Sequence, residues 1–140
     1  MQKKKTDELL KDLKKDPNLD HYFAENEGQF VDRGIGAYLD AIVAERKLKK
    51  NRILKAAEMN ELYGYQIFSG SRKPSRDKLI ALCIGMGLSE EEINGALKYA
   101  GDAPLYPRSK RDSIILAGIL QGSSVMEING QLYERGFETL

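Results

Sequence analysis

The chain has 140 residues, of which 31% are charged and 41% hydrophobic, with one cysteine and a formal net charge of +1. That length fits one domain, or a domain with an appendage, and can bury enough surface to fold without a disulfide or metal staple. No apolar stretch approaches the ~18 residues of a membrane span, and the start, Met1-Gln2-Lys3-Lys4-Lys5, lacks the apolar core of a secretory signal. Cys83 sits in the apolar run 79–84 and is expected as a buried thiol in a reducing compartment, so a cytoplasmic location with no membrane contact is expected.

Residues 6–15 are predicted as a short amphipathic helix capped by Thr6. Asp7 and Glu8 fall in its first turn, Leu9, Leu10 and Leu13 on one face, and Asp16-Pro17 stops it. Residues 18–32 hold Tyr22, Phe23 and Phe30; they are expected to be partly helical, with their rings docked. Ile35, Tyr38, Leu39, Ile42 and Val43 recur at helical spacing over 35–47. Ile53, Leu54 and Ala57 define a second helix from about Lys50. Asn60 can cap a third that runs to Phe68 or Ser69 and ends at Gly70, before the loop Ser71-Arg72-Lys73-Pro74. No period-two run of β-branched residues appears, so the expected class is all-α.

The last part of the chain contains a repeat. Residues 76–105 align with 111–140 at a shift of 35 without a gap, and thirteen of thirty pairs are identical. In each copy a helix ends at Gly87 or Gly122. A capping box, Ser89-x-x-Glu92 or Ser124-x-x-Glu127, then starts another that ends at Gly101 or Gly136. The period suggests two stacked helical hairpins. Gly95 and Gly130 lie inside the second helix of each copy, where glycine costs about 1 kcal/mol relative to alanine. A close helix–helix approach is the expected reason for them.

Charge is unevenly spread. Residues 1–45 carry 7 basic and 10 acidic side chains, residues 46–78 carry 10 and 3, and residues 79–140 carry 5 and 8. A nearly neutral chain has gathered its positive charge into one window, the footprint expected of a polyanion binder.

Lys47 to Leu88 carries markers in that same window: Leu48, Ile53-Leu54 with Ala57, Met59, Ile67-Phe68-Ser69-Gly70, Arg72-Lys73-Pro74-Ser75, and the apolar run after Leu79. In this arrangement the chain resembles the lambda-repressor-like (Cro/XRE-type) helix-turn-helix family over roughly residues 35–100. The resemblance implies a five-helix bundle as the DNA-binding domain (34–104); the helix signals and the repeat add an N-terminal helical extension (1–33) and a C-terminal hairpin (105–140) repeating helices 4 and 5. It implies a recognition helix in the major groove and a preceding helix across the backbone. Asn60, Glu61, Leu62, Tyr65 and Gln66 then take base- or groove-facing positions, with Gln66 able to pair bidentately with adenine and Leu62 to meet a thymine methyl. Lys49, Lys50 and Arg52, with the amides of the helix they start, and Arg72 and Lys73 would bind phosphate. Gly64 departs from the family, which has a branched apolar residue there; a looser recognition helix is expected, with a ring of Tyr63 or Tyr65 filling the space.

The expected function is therefore a sequence-specific transcriptional regulator acting on double-stranded DNA, as a homodimer on two half-sites. The hairpin 111–140 and the N-terminal helix are the candidate pairing or partner surfaces. The alternative is an adaptor or antitoxin-like protein with a protein partner. No enzyme, metal or cofactor is expected: His21 is the only histidine, Gly34-Ile35-Gly36 follows no strand and lacks a dinucleotide loop's third glycine, and Glu90-Glu91-Glu92 reads as an acidic helix start.

Overall fold

The computed structural model describes residues 4–26 and 34–140. They form α1 (Thr6–Lys15), α2 (Leu19–Glu25), α3 (Ile35–Glu45), α4 (Lys50–Ala56), α5 (Glu61–Ser69), α6 (Arg76–Gly85), α7 (Glu90–Tyr99), α8 (Lys110–Leu120) and α9 (Val125–Glu134). No strand occurs among the described residues, and none of their helices is long and apolar enough to cross a membrane. The chain divides into two compact units, 1–32 and 33–140.

In the first unit, α1 stops at Asp16, which turns extended ahead of Pro17 because proline disfavours a helical residue before it. Thr6 does not cap this helix. Lys5 is the N-cap, Thr6 is already helical, and no side chain bonds the first amides. α2 is capped by Asn18, whose Oδ1 accepts the His21 amide at 3.0 Å. The amide of Asn18, and after it His21 Nδ1 at 3.2 Å, bond Asp16 and hold its carboxyl below the usual range. Buried Asn26 accepts from Lys4 Nζ at 2.6 Å and donates to the Tyr22 carbonyl. Tyr22 is half-buried, and its ring lies 6.1 Å from that of Phe23, which is 52% exposed; Phe30 lies outside the described residues.

The second unit is organised around α6. Leu79 through Cys83 are all buried, a helix apolar on every side and therefore enclosed, with α4, α7 and α9 packed on it. α3 contributes Ile35, Leu39 and Val43, α4 Ile53 and Leu54, and α5 Ile67 and Phe68. Each side chain of this size contributes about 1.5–3 kcal/mol when removed from water. The Arg46 guanidinium pairs with Glu92, tying the end of α3 to the capping box that starts α7.

Four helical glycines mark where helices meet closely, and none is Gly95 or Gly130. A Cβ on Gly36 would strike the Ile67 carbonyl, one on Gly64 the Leu54 side chain, and one on Gly118 the Ile128 side chain; one on Gly85 would lie 2.6 Å from the Ile53 carbonyl. A Cβ on Gly130 would meet nothing within 4 Å, and one on Gly95 only the Tyr38 hydroxyl at 3.7 Å. The close approach expected at Gly95 and Gly130 is therefore absent among the described residues. Gly64 leaves no gap for a tyrosine ring either, because Leu54 fills the space and α5 sits tightly on α4.

The repeat folds as two hairpins, α6–α7 and α8–α9. Both capping boxes form, Ser89 with Glu92 and Ser124 with Glu127. Gly87, Gly122, Gly101 and Gly136 all take left-handed backbones, with φ between 73° and 82°. The Leu105 amide donates to Asn94 Oδ1 at 2.8 Å, and 35 residues on the Leu140 amide donates to Asn129 Oδ1 at 2.7 Å.

Candidate nucleic-acid interface

α5 is a nine-residue helix, so it is about 14 Å long. Asn60 starts it by accepting the Tyr63 amide on Oδ1 at 3.1 Å, as its sequence position suggested. That bond uses one of the two lone pairs of Oδ1, leaving Asn60 the other and its Nδ2 donors. Gly64, Ile67 and Phe68 form the inward face. Glu61, Leu62 and Tyr65 are exposed on the other side and Gln66 is half-exposed, with Leu62 at 69%. Gly70, at φ 85°, ends the helix.

The exit loop is fastened to the helix end. The Gln66 carbonyl accepts the Arg72 amide at 3.2 Å, the Ser69 hydroxyl at 3.1 Å and the Ser71 hydroxyl at 3.3 Å. Pro74 is buried just beyond. Arg72 and Lys73 therefore project from an anchored loop. The Arg72 guanidinium lies over the Tyr63 ring at 5.3 Å, a cation–π contact that orients it while leaving its donors available.

α4 presents Lys49, Asn51, Arg52 and Lys55 to solvent. Lys49 is the N-cap of this seven-residue helix but makes no side-chain cap bond, and Asn51 Oδ1 accepts the Arg52 amide at 3.0 Å. Lys50 differs from its neighbours. Its ammonium bonds Asp40 at 2.7 Å and sits 5.1 Å from the centre of the Phe68 ring, so it ties α4 to α3 and to the end of α5. Arg46 and Arg76 are also engaged within the chain, by Glu92 and Asp112. Sequence counting could not separate these tethered cations from free ones, because the partners of Arg46 and Arg76 lie dozens of residues away. Lys49, Arg52, Lys55, Arg72 and Lys73 make no ion pair with another described residue.

Between the two helices, Glu58 takes a left-handed backbone at φ 54° and Met59 is buried. A left-handed conformation costs a residue with a Cβ about 1–2 kcal/mol, so the turn joining α4 to α5 is imposed by packing on both sides. Away from this region, Cys83 is fully buried, and loss of solvent pushes its thiol up to about 12, which leaves it no thiolate at neutral pH. Comparison with known proteins adds nothing to this geometry: no protein-family model, curated protein or solved structure matches the chain.

Proposed function

We propose that the chain is a sequence-specific DNA-binding transcriptional regulator of the lambda-repressor-like (Cro/XRE-type) kind. In this reading α5 enters the major groove and α4 lies across the sugar-phosphate backbone. The observation that carries it is the pairing of an outward α5 face with cations on the two segments that flank it, none in an ion pair with another described residue: Lys49, Arg52 and Lys55 on α4, and Arg72 and Lys73 in the fastened exit loop. Those cations supply sequence-independent affinity, and Gln66, Leu62 and Tyr65 supply the base edges' partners. Lys50 has a divided role, since phosphate must compete with Asp40 for its ammonium. The test is selection of bound duplexes from a random pool. Enrichment of a short common sequence, lost with Gln66→Ala, supports the reading; uniform recovery of all sequences contradicts it.

A second reading rests on the composition of α5 itself. The helix carries Glu61 and no lysine or arginine, and it exposes Leu62 and Tyr65. An acidic, partly apolar face also suits a protein partner, as in an adaptor or antitoxin-like protein. The homodimer expected from the sequence is a separate matter, because one of its candidate surfaces, the second hairpin, is engaged within the chain.

A further inference from the structure

The two hairpins hold each other through the same bonds made twice. Arg76 donates from Nη2 to Asp112 Oδ2 at 2.8 Å and from Nη1 to Oδ1 at 3.1 Å; Arg111 donates from Nη1 and Nη2 to the two oxygens of Asp77, both at 2.9 Å. Arg76 and Arg111 are one position of the repeat, and Asp77 and Asp112 the next. The remaining donors match too: Arg76 Nε bonds the Ala103 carbonyl and Arg111 Nε the carbonyl of Glu138, 35 residues further on. α6 packs on α9, and α7 on α8. Position i of one copy thus meets position j of the other, and j meets i. That is the signature of an isologous interface, which ordinarily joins two identical subunits.

The two copies have diverged unevenly around that contact. Ile80 and Ile115, Ile93 and Ile128, and Leu97 and Leu132 are identical and buried in both. Elsewhere the second copy has lost its cover. Leu82, Met86 and Ala96 are buried in the first hairpin, on which α3 and α4 pack, whereas their counterparts Ala117, Gln121 and Gln131 are exposed. Gly85 admits the Ile53 carbonyl of α4, but its counterpart Leu120 is 70% exposed and would obstruct a helix seated the same way. The second hairpin keeps its pairing residues, while its outer side is open to solvent and exposes Leu120, Met126 and Tyr133.

We propose that α8–α9 stands, within one chain, in the place of the α6–α7 hairpin of a second copy. The covered surface of α6–α7 is self-complementary, since Arg76 and Asp77 of one copy match Asp77 and Arg76 of another. A short connector gives the tethered hairpin an effective concentration on the order of mM, so it displaces a second copy at micromolar protein. The intact protein is one chain per particle, and loosening the second hairpin exposes a surface whose partner is a second copy. This inference does not rest on DNA binding.

The test is the mass of the full chain in solution across a wide concentration range. Wild type should hold the mass of one chain. The full-length variant R76D/D77R sets like charges against Arg111 and Asp112 within the chain but remains complementary to a second copy of itself, and its mass should double. Reversing both copies, R76D/D77R/R111D/D112R, restores both internal pairs and should return the mass to one chain. A milder variant, R111Q/D112N, leaves Arg76 and Asp77 to a second copy and should show a mass that rises towards two chains with concentration. A two-chain mass for wild type overturns the proposal, as does an R111Q/D112N protein that stays at one chain throughout.

Discussion

The Leu54 side chain occupies the position that a Cβ on Gly64 would take, so α4 and α5 meet more closely than any larger residue at 64 would permit. The relative placement of the two helices that make the candidate interface depends on this contact. Gly64→Ala should destabilise the protein by about 1–3 kcal/mol, the usual cost of overpacking a filled core. Gly130→Ala should do the opposite, adding about 0.5–1 kcal/mol, because the new methyl meets nothing and helix propensity improves. Urea denaturation of both variants checks the pair, and equal signs would refute the packing argument.

That contrast shows how far the sequence could be read. Helix positions followed from local signals: the Asn60 cap, the Ser89 and Ser124 capping boxes and the Gly70 exit all act within a few residues and all form. The all-helical class and the paired hairpins were legible for the same reason. The glycines were misjudged because helix propensity is local while close approach depends on a partner far along the chain. Gly36 meets Ile67 and Phe68, and Gly85 meets Ile53, over about thirty residues. The candidate interface was legible as a cluster of charge, but Lys50 and Asp40 form a tertiary pair that no count of residues reveals.

The Arg76–Asp112 pair should be visible in acid. Burial raises the Asp112 carboxyl, but its bonds from Arg76 and the Tyr106 amide outweigh that, and the net shift is downward. A carboxyl lowered on folding contributes stability above its unfolded pKa and loses that contribution as pH falls through the folded value. Stability should therefore drop below about pH 4, near the unfolded range for aspartate. Asp112→Asn should cost about 2 kcal/mol at neutral pH, since it strands a partly buried guanidinium, and should flatten the acid limb. Denaturation midpoints at a series of pH values read both effects.

The Lys50–Asp40 pair predicts a gain rather than a loss. Asp40→Asn removes a carboxylate that holds a candidate phosphate ligand, so nonspecific duplex binding should tighten several-fold at low salt. Lys50→Ala alone should weaken binding less than Arg52→Ala, because Lys50 is held by Asp40 whereas Arg52 makes no ion pair with another described residue. Fluorescence anisotropy with a labelled random duplex separates the three variants.

DNA binding by this chain would depend above all on α4 and the exit loop facing a polyanion together. Its most direct measurement is the affinity of the intact protein for a random-sequence duplex across a series of salt concentrations. Binding should weaken along a straight log–log line with a slope of about −0.9 per phosphate contacted. Arg52→Ala and Lys73→Ala should each flatten that slope by about 1. Absence of binding at low salt, or a slope that neither substitution changes, would contradict the DNA-binding account and favour a protein partner for α5.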